Sequence, residues 1–252
     1  QPWEPMVPLS GYALAASRYL HEFDATREDF GRVHMAAREW AGLNPEAELR
    51  DPITMAEYLG QRQIATPLCR YDCCLLSDGG VALVLSRADR ARDMRQKPVY
   101  LLGTGSAHWH REIAQMPDFT TTAATESSTR AYAMAGLGPK DIDVVQLYDA
   151  FTLNVLLFLE DLGFCAKGEG GAFVEGGRIA PGGVLPVNTN GGGLSCVHPG
   201  MYGIFTVIEA ARQIRGDAPG IQLKDVDLAL AHGNGGVLSS QVTAILGSQN
   251  TL

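Results

Sequence analysis

The chain has no long apolar run: nothing in it approaches the roughly 20 consecutive hydrophobic residues that cross a bilayer. Its opening, Gln1-Pro2-Trp3-Glu4-Pro5, has neither the basic nor the apolar block of a secretory signal, and there is no initiator Met. The expectation is a cytoplasmic chain that begins inside a longer polypeptide. Basic blocks are missing too. Twenty Lys and Arg stand against 28 Asp and Glu, a formal net charge of −8, which argues against nucleic acid as a main partner. Cysteine is scarce and odd in number at five, with Cys73 and Cys74 adjacent and no C-x-x-C, so a disulfide framework is not expected. Buried thiols in a reducing compartment fit better. Gly103-Thr104-Gly105 has no third glycine for a dinucleotide fingerprint, and the glycine-rich stretch 168–183 lacks the Lys-Ser/Thr of a P-loop. His108-Trp109-His110 lacks a third ligand nearby, so no metal site is expected.

What remains is an ordinary globular composition, 46% hydrophobic and 19% charged. Residues 11–42 read as two helices. Tyr12, Ala15, Ala16, Tyr19 and Leu20 recur at helical spacing, and Thr26-Arg27-Glu28-Asp29 is a start signal for the second. A short helix follows over 54–59. Residues 81–86 form an apolar run that predicts a buried strand, and 87–94 a charged helix. Strands are predicted over 99–105, 141–147, 226–231 and 237–246, with helices over 121–136, 152–162 and 202–214. Strands alternating with helices predict a layered α/β fold.

The densest chemistry lies in two glycine–histidine clusters. Asn188-Thr189-Asn190-Gly191-Gly192-Gly193 leads to Cys196-Val197-His198-Pro199-Gly200, and 34 residues beyond His198 comes His232-Gly233-Asn234-Gly235-Gly236. Each sets an imidazole beside glycines whose amides can approach a ligand closely, the parts needed to move a proton and hold an oxyanion. Tyr148-Asp149-Ala150-Phe151 sits at a predicted strand end, where sites of α/β sheets gather. Asp149 is expected either to orient a neighbour or to cap the helix from Thr152.

Taken in order, these pieces resemble the thiolase superfamily. Asp78-Gly79-Gly80-Val81-Ala82-Leu83-Val84 is similar to the strand closing the family's N-terminal half. Tyr148-Asp149-Ala150-Phe151 stands in the place of its Asn-Glu-Ala-Phe motif, the 188–200 segment in that of its Gly-His-Pro turn, and His232-Gly233-Asn234-Gly235 in that of its Cys-x-Gly-Gly turn. Leu162-Gly163-Phe164-Cys165-Ala166-Lys167-Gly168-Glu169 is similar to wording of the sterol-carrier-protein thiolase and lipid-transfer branch. The resemblance implies a thiolase-like layered α-β-α fold with mixed five-stranded sheets. It divides the chain into a helical covering region over 1–75, the last strand and helix of the N-terminal half over 76–98, and a C-terminal domain over 99–252.

The family's nucleophilic cysteine would lie upstream of Gln1, and its acid/base cysteine is replaced by His232. The resemblance therefore implies an acyl-CoA-dependent carbon–carbon bond enzyme of lipid or steroid degradation, leaning toward the aldolases (C–C lyases) of the branch, which use a Tyr at the position of Tyr148. The alternatives are a thiolase-type acyltransferase whose cysteine lies in a missing half, and a non-catalytic lipid-binding or structural subunit. Tyr148, His198 and His232 are the expected catalytic residues. Asp149, Asn190, Gly192, Gly193, Gly233, Asn234 and Gly235 are the expected oxyanion and substrate-binding set, and Cys196 a packing residue. No cofactor is implied beyond coenzyme A within the substrate. The implied partners are a second copy in a homodimer, a small OB-fold protein, or a chain supplying the N-terminal half.

Overall fold

The computed structural model describes residues 7–91 and 93–252; the opening residues 1–6 and Arg92 fall outside them. Helices α1 (Leu9–Glu22) and α2 (Arg27–Gly42) form where the periodicity predicts them. Thr26 starts α2 by capping: its N–H donates to Asp29 Oδ2 at 2.7 Å. Helix α3 (Met55–Leu59) and the antiparallel pair β1 (Gln63–Ala65) and β2 (Leu68–Cys69) follow, so this region carries a small hairpin beside its helices.

The 81–86 strand expectation fails. Residues 74–87 have no regular secondary structure, and Val84 and Leu85 are 88% and 85% exposed. An apolar run becomes a strand only where a neighbour satisfies its amides and carbonyls, and among the described residues none pairs with it. The 87–94 helix shrinks to α4 (Ala88–Ala91).

The remaining elements alternate as expected: β3 (Tyr100–His108), α5 (Ala124–Ala135), β4 (Val144–Leu147), α6 (Thr152–Asp161), the one-turn helices α7 (Gly170–Phe173) and α8 (Gly192–Ser195), α9 (Gly203–Arg215), β5 (Leu228–Gly235) and β6 (Ser240–Gly247). The strands form one mixed sheet in the order β3-β6-β5-β4, with β4 parallel to β5 and the other pairs antiparallel. Val187 makes a parallel bridge to Val145 at the outer edge of β4, where a fifth strand would lie.

Side-chain alternation along these strands gives the sheet two faces. On one, Val144, Ala229, Ala231 and Leu246 pack with Ala210, Ala211 and Ile214 of α9. On the other, Val145, Leu147, Leu230 and Ile245 join the main core with α6, α1 and α2. All ten residues of α6 are buried, because the covering helices close over it. Leu153, Leu156, Leu157, Phe158 and Leu159 are fully inaccessible, each stabilising the fold by about 1.5–3 kcal/mol.

Helix α5 lies almost in contact with the backbone of β3, which explains the Gly103 and Gly105 pair. A Cβ at Gly103 would collide with the Ala131 carbonyl oxygen, and one at Gly105 with the Ser127 carbonyl oxygen. The glycines serve packing, not phosphate binding. Gly105→Ala should therefore destabilise the chain by about 1–3 kcal/mol in urea unfolding, the usual cost of forced overpacking. An unchanged midpoint would show that α5 can slide away freely.

Candidate active site

The site is built at the end of β4. Beyond Leu147, which lies opposite His232 of β5, Tyr148 continues the ladder by donating its N–H to the His232 carbonyl at 2.9 Å. Alternation then puts Leu147 and His232 on one face, and Tyr148 and Gly233 on the other. The packing agrees. A Cβ on Gly203, at the start of α9, would lie 3.8 Å from Gly233 Cα and 3.9 Å from Tyr148 Cδ2. Small residues at 203 and 233 let the Tyr148 ring lie between helix and sheet.

His198 comes to this ring from the 188–200 segment. The two rings meet edge-on with centroids 5.4 Å apart and planes at 81°. A third ring completes the cluster: Tyr202 stacks on His198 at 5.6 Å and 22°, and meets Tyr148 edge-on at 5.6 Å. The Tyr148 hydroxyl is held by the same turn, donating to the Gly200 carbonyl at 3.1 Å. Burial raises its pKa, while the Tyr202 amide opposes the shift. Tyr202 was not foreseen, because an aromatic residue leading into a helix reads as core. Its position four residues after His198, across the Pro199-Gly200 turn, is the available signal.

His198 lines an open cleft of about 630 Å³ with Pro199, Gly200, Glu48, Leu76, Ser77 and Asp78. Its N–H donates to Ser77 Oγ at 2.8 Å, while its ring Nε2 is buried without a hydrogen-bond partner. Burial lowers the ring's pKa, which favours neutral imidazole, a base with a free lone pair.

Beneath the ring, Asp149 and the glycines form one unit. The fully buried Asp149 carboxylate accepts the Gly193 N–H on Oδ1 at 2.7 Å and the Leu194 N–H on Oδ2 at 3.2 Å. It orients this neighbouring segment; Phe151, not Asp149, is the N-cap of α6. Asn190 Oδ1 accepts the Gly192 N–H at 2.8 Å. The amides of Gly192 and Gly193 are thus bonded within the turn. A Cβ on Gly193 would stand 2.8 Å from His198 Cδ2, and one on Gly192 would collide with Asp149 Oδ2. The covering region is stitched over this turn by Leu75 N–H to Gly193 O (2.9 Å), Leu49 N–H to Ser195 O (2.9 Å) and Glu48 N–H to Cys196 O (3.1 Å).

The second cluster is placed differently. His232 is fully inaccessible on the face opposite Tyr148. It packs edge-on against Phe158 at 4.6 Å and bonds to Thr243 and Gln241. Burial pushes its pKa down to about 4. Asn234 shares that face and donates to the Tyr12 hydroxyl at 2.8 Å, while Gly235 packs against Ser240 of β6. So the fold brings Tyr148, His198 and Tyr202 together and sets the His232 ring behind the sheet. Cys196 packs with Ala41 and Ala47. Burial raises the pKa of all five thiols, to about 12 for Cys73, Cys74, Cys165 and Cys196. His108 Nδ1 bonds to Ser240 Oγ at 2.8 Å and His110 Nε2 to the Val237 carbonyl at 3.1 Å; among the described residues no cluster of three or more His, Cys, Asp or Glu is arranged for a metal.

A mixed α/β sheet whose strand ends carry this turn places the chain in one class: residues 105–248 match the family described as "Thiolase C-terminal domain-like", and the chain belongs to the thiolase family. It is 39% identical over 221 residues to the steroid side-chain-cleaving aldolase of Thermomonospora curvata, covering 83% of this chain and 55% of that protein. To the acetyl-CoA acetyltransferase of Methanothermobacter thermautotrophicus it is 36% identical over 241 residues, covering 94% and 63%. The solved structure of the Ltp2-ChsH2(DUF35) aldolase matches it with a TM-score of 0.92 at 37% identity, over 100% of this chain and 66% of that one. The chain thus spans between about half and two thirds of the length of these relatives.

Burial raises the Asp149 pKa from 3.8 to about 7, against the lowering effect of the Gly193 and Leu194 amides. Native protein then holds this proton to higher pH than unfolded chain. The group's contribution to stability is present below about pH 4 and lost as pH rises through 7, about 4 kcal/mol in all. His232, depressed to about 4, acts in the opposite sense, losing its contribution as pH falls from 6.5 toward 4. Asp149→Asn should therefore gain stability relative to the parent chain as pH rises from 4 to 8 in urea unfolding. A difference independent of pH would mean that Asp149 is ionised throughout.

Proposed function

We propose that this chain carries the proton-transfer half of an acyl-CoA-dependent carbon–carbon bond enzyme, and that the reaction is retro-aldol cleavage of a β-hydroxyacyl-CoA with a lipid or steroid side chain. The observation that carries the reading is the buried, unpartnered His198 Nε2 at the cleft wall, in ring contact with Tyr148. Neutral His198 takes the β-hydroxyl proton. The Cα–Cβ bond breaks, a ketone or aldehyde leaves, and the electron pair passes into the thioester enolate. The Tyr148 phenol then protonates Cα, and the proton on His198 restores the phenol. Tyr202 holds His198 by stacking, and Asp149, Asn190, Gly192 and Gly193 hold the turn from below. Gly233 walls the Tyr148 side, with Asn234 and Gly235 ending β5 and leading into the turn behind it. His232 enters only through that turn.

The alternative, thiolase-type acyl transfer, needs a thiolate nucleophile. Raised pKa values at all five cysteines disfavour it within this chain, so that reading draws its cysteine from polypeptide outside these residues. A non-catalytic binding subunit is the third reading, and the unpartnered His198 base speaks against it. The substrate supplies coenzyme A, and no other cofactor is proposed. We propose a cytoplasmic setting; no described helix is long and apolar enough to cross a membrane. The partners proposed are a second copy of the enzyme and a small OB-fold protein, the relative named Ltp2-ChsH2(DUF35) aldolase being two-component by its name. The exposed 81–86 run is the surface on which polypeptide supplying the N-terminal thiolase half would sit.

In the assembled enzyme, Tyr148→Phe should lower release of the carbonyl product and the shortened acyl-CoA by about 10²–10⁴-fold, read by mass spectrometry of the products. Cys74→Ser and Cys196→Ser should retain turnover. Full cleavage by the Phe variant, or its loss in a Ser variant, would overturn the assignment.

A further inference from the structure

His232 stands where the sequence suggests a catalytic group, yet its surroundings give it another task. Gln241 Nε2 donates to the Leu238 carbonyl at 3.2 Å and to Asn234 Oδ1 at 2.9 Å. The Leu238 carbonyl can only accept, so the amide's orientation is settled and its Oε1 faces His232. At 2.9 Å from that oxygen, His232 Nε2 must carry the proton. In a neutral ring Nδ1 is then the acceptor, so the Thr243 hydroxyl, 2.9 Å away, donates to it. With the Thr243 proton given to His232, the 2.9 Å contact between Thr243 Oγ1 and Ser127 Oγ takes its proton from Ser127, which also lies 3.2 Å from the Ala124 carbonyl.

Beyond Gln241 the same direction continues. Asn234 Nδ2 donates to the Tyr12 hydroxyl at 2.8 Å, and that hydroxyl donates to the Gly236 carbonyl at 3.2 Å. Six side chains from α5, β6, β5 and α1 form one file of hydrogen bonds in which every donor points the same way. All six are buried. The file ends on the carbonyl of Gly236, the first residue of the 236–239 turn that joins β5 to β6, and Gly233 of the same strand end faces Tyr148. The far end is fixed as well, because the Tyr12 ring stacks on Phe151 at 4.3 Å.

We infer that His232 is a positioning residue: a neutral, Nε2-protonated ring that anchors this file and thereby fixes the end of β5 and the 236–239 turn that follows it, without exchanging protons with substrate. A proton gained at Nδ1 would turn that nitrogen from acceptor into donor against the Thr243 hydroxyl, which would have to reverse, and Ser127 with it. The groups bonded to or stacked on the ring are uncharged, Phe158 from α6 and Thr243 and Gln241 from β6, with Ser127 of α5 and Tyr12 of α1 further along the file. Nothing in the file offsets an added charge. This inference rests on the reading of Tyr148 and His198 as the reacting face, but it is tested without any activity.

Long-range proton–nitrogen spectra of the histidine-labelled 252-residue chain between pH 5 and 8 should show His232 neutral with its proton on Nε2 throughout. Titration between pH 6 and 8, or a proton on Nδ1, would overturn the inference. Tyr12→Phe keeps the stacked ring and removes only the hydroxyl that ends the file. It should speed amide exchange over residues 235–239 by at least tenfold while leaving the His232 tautomer in place. Unchanged exchange would show that the file does not hold the turn. Gln241→Glu supplies the second reading: its carboxylate should raise the His232 midpoint and speed the same amides, and an unmoved midpoint would place the ring elsewhere. If the spectra hold and Tyr148→Phe still cleaves substrate, the functional reading fails and this one stands.

Discussion

One buried carboxylate holds the candidate site together. Asp149 follows the strand residue Tyr148 directly, and its two oxygens accept successive amides of the segment that leads to His198. A strand end and a turn more than 40 residues apart in sequence are thereby set in one geometry. The cost is a carboxylate without a cation, which explains its raised pKa. The glycines follow from it. Side chains at 192 and 193 would occupy the space of the carboxylate and of the His198 ring, so close approach of backbone to charge is possible only without a Cβ.

That constraint separates two uses of glycine–histidine wording that look alike in sequence. In the first cluster, the bonded amides carry His198 on their upper side and leave its Nε2 free. In the second, the imidazole itself is bonded through both nitrogens and the glycines run past it. A free ring over a bonded backbone can accept a proton. A doubly bonded ring inside the core is suited to holding structure.

Much of the fold was legible because its periodicities are long and its boundaries chemical. Thr26 with Asp29, and the left-handed Gly136, mark helix ends that the structure repeats. The site was legible as motifs and not as contacts. The strand end at Tyr148 and the turn at His198 could each be found, but their meeting depends on Asp149 choosing Gly193 and Leu194 over the helix at Thr152. Tyr202 is hidden because an aromatic residue leading into a helix reads as core, and its spacing from His198 gains meaning only once the Pro199-Gly200 turn folds it back on the ring. The 81–86 run was misread because hydrophobicity reports a wish for burial, while a strand also needs a neighbour's backbone.

The parity of the strand end explains the division of labour. Leu147 and His232 are register partners, and Tyr148 is one residue further. With a period of two, that single step moves Tyr148 to the face of α9 and leaves His232 among Phe158, Thr243 and Gln241. Bringing the His232 ring beside Tyr148 would require a bulge in β5, and the β5–β6 register runs without one from Leu228 to Gly235. An uninterrupted ladder is thus what keeps the two imidazoles in separate environments, one beside the cleft with an unpartnered nitrogen, the other in the core and bonded through both.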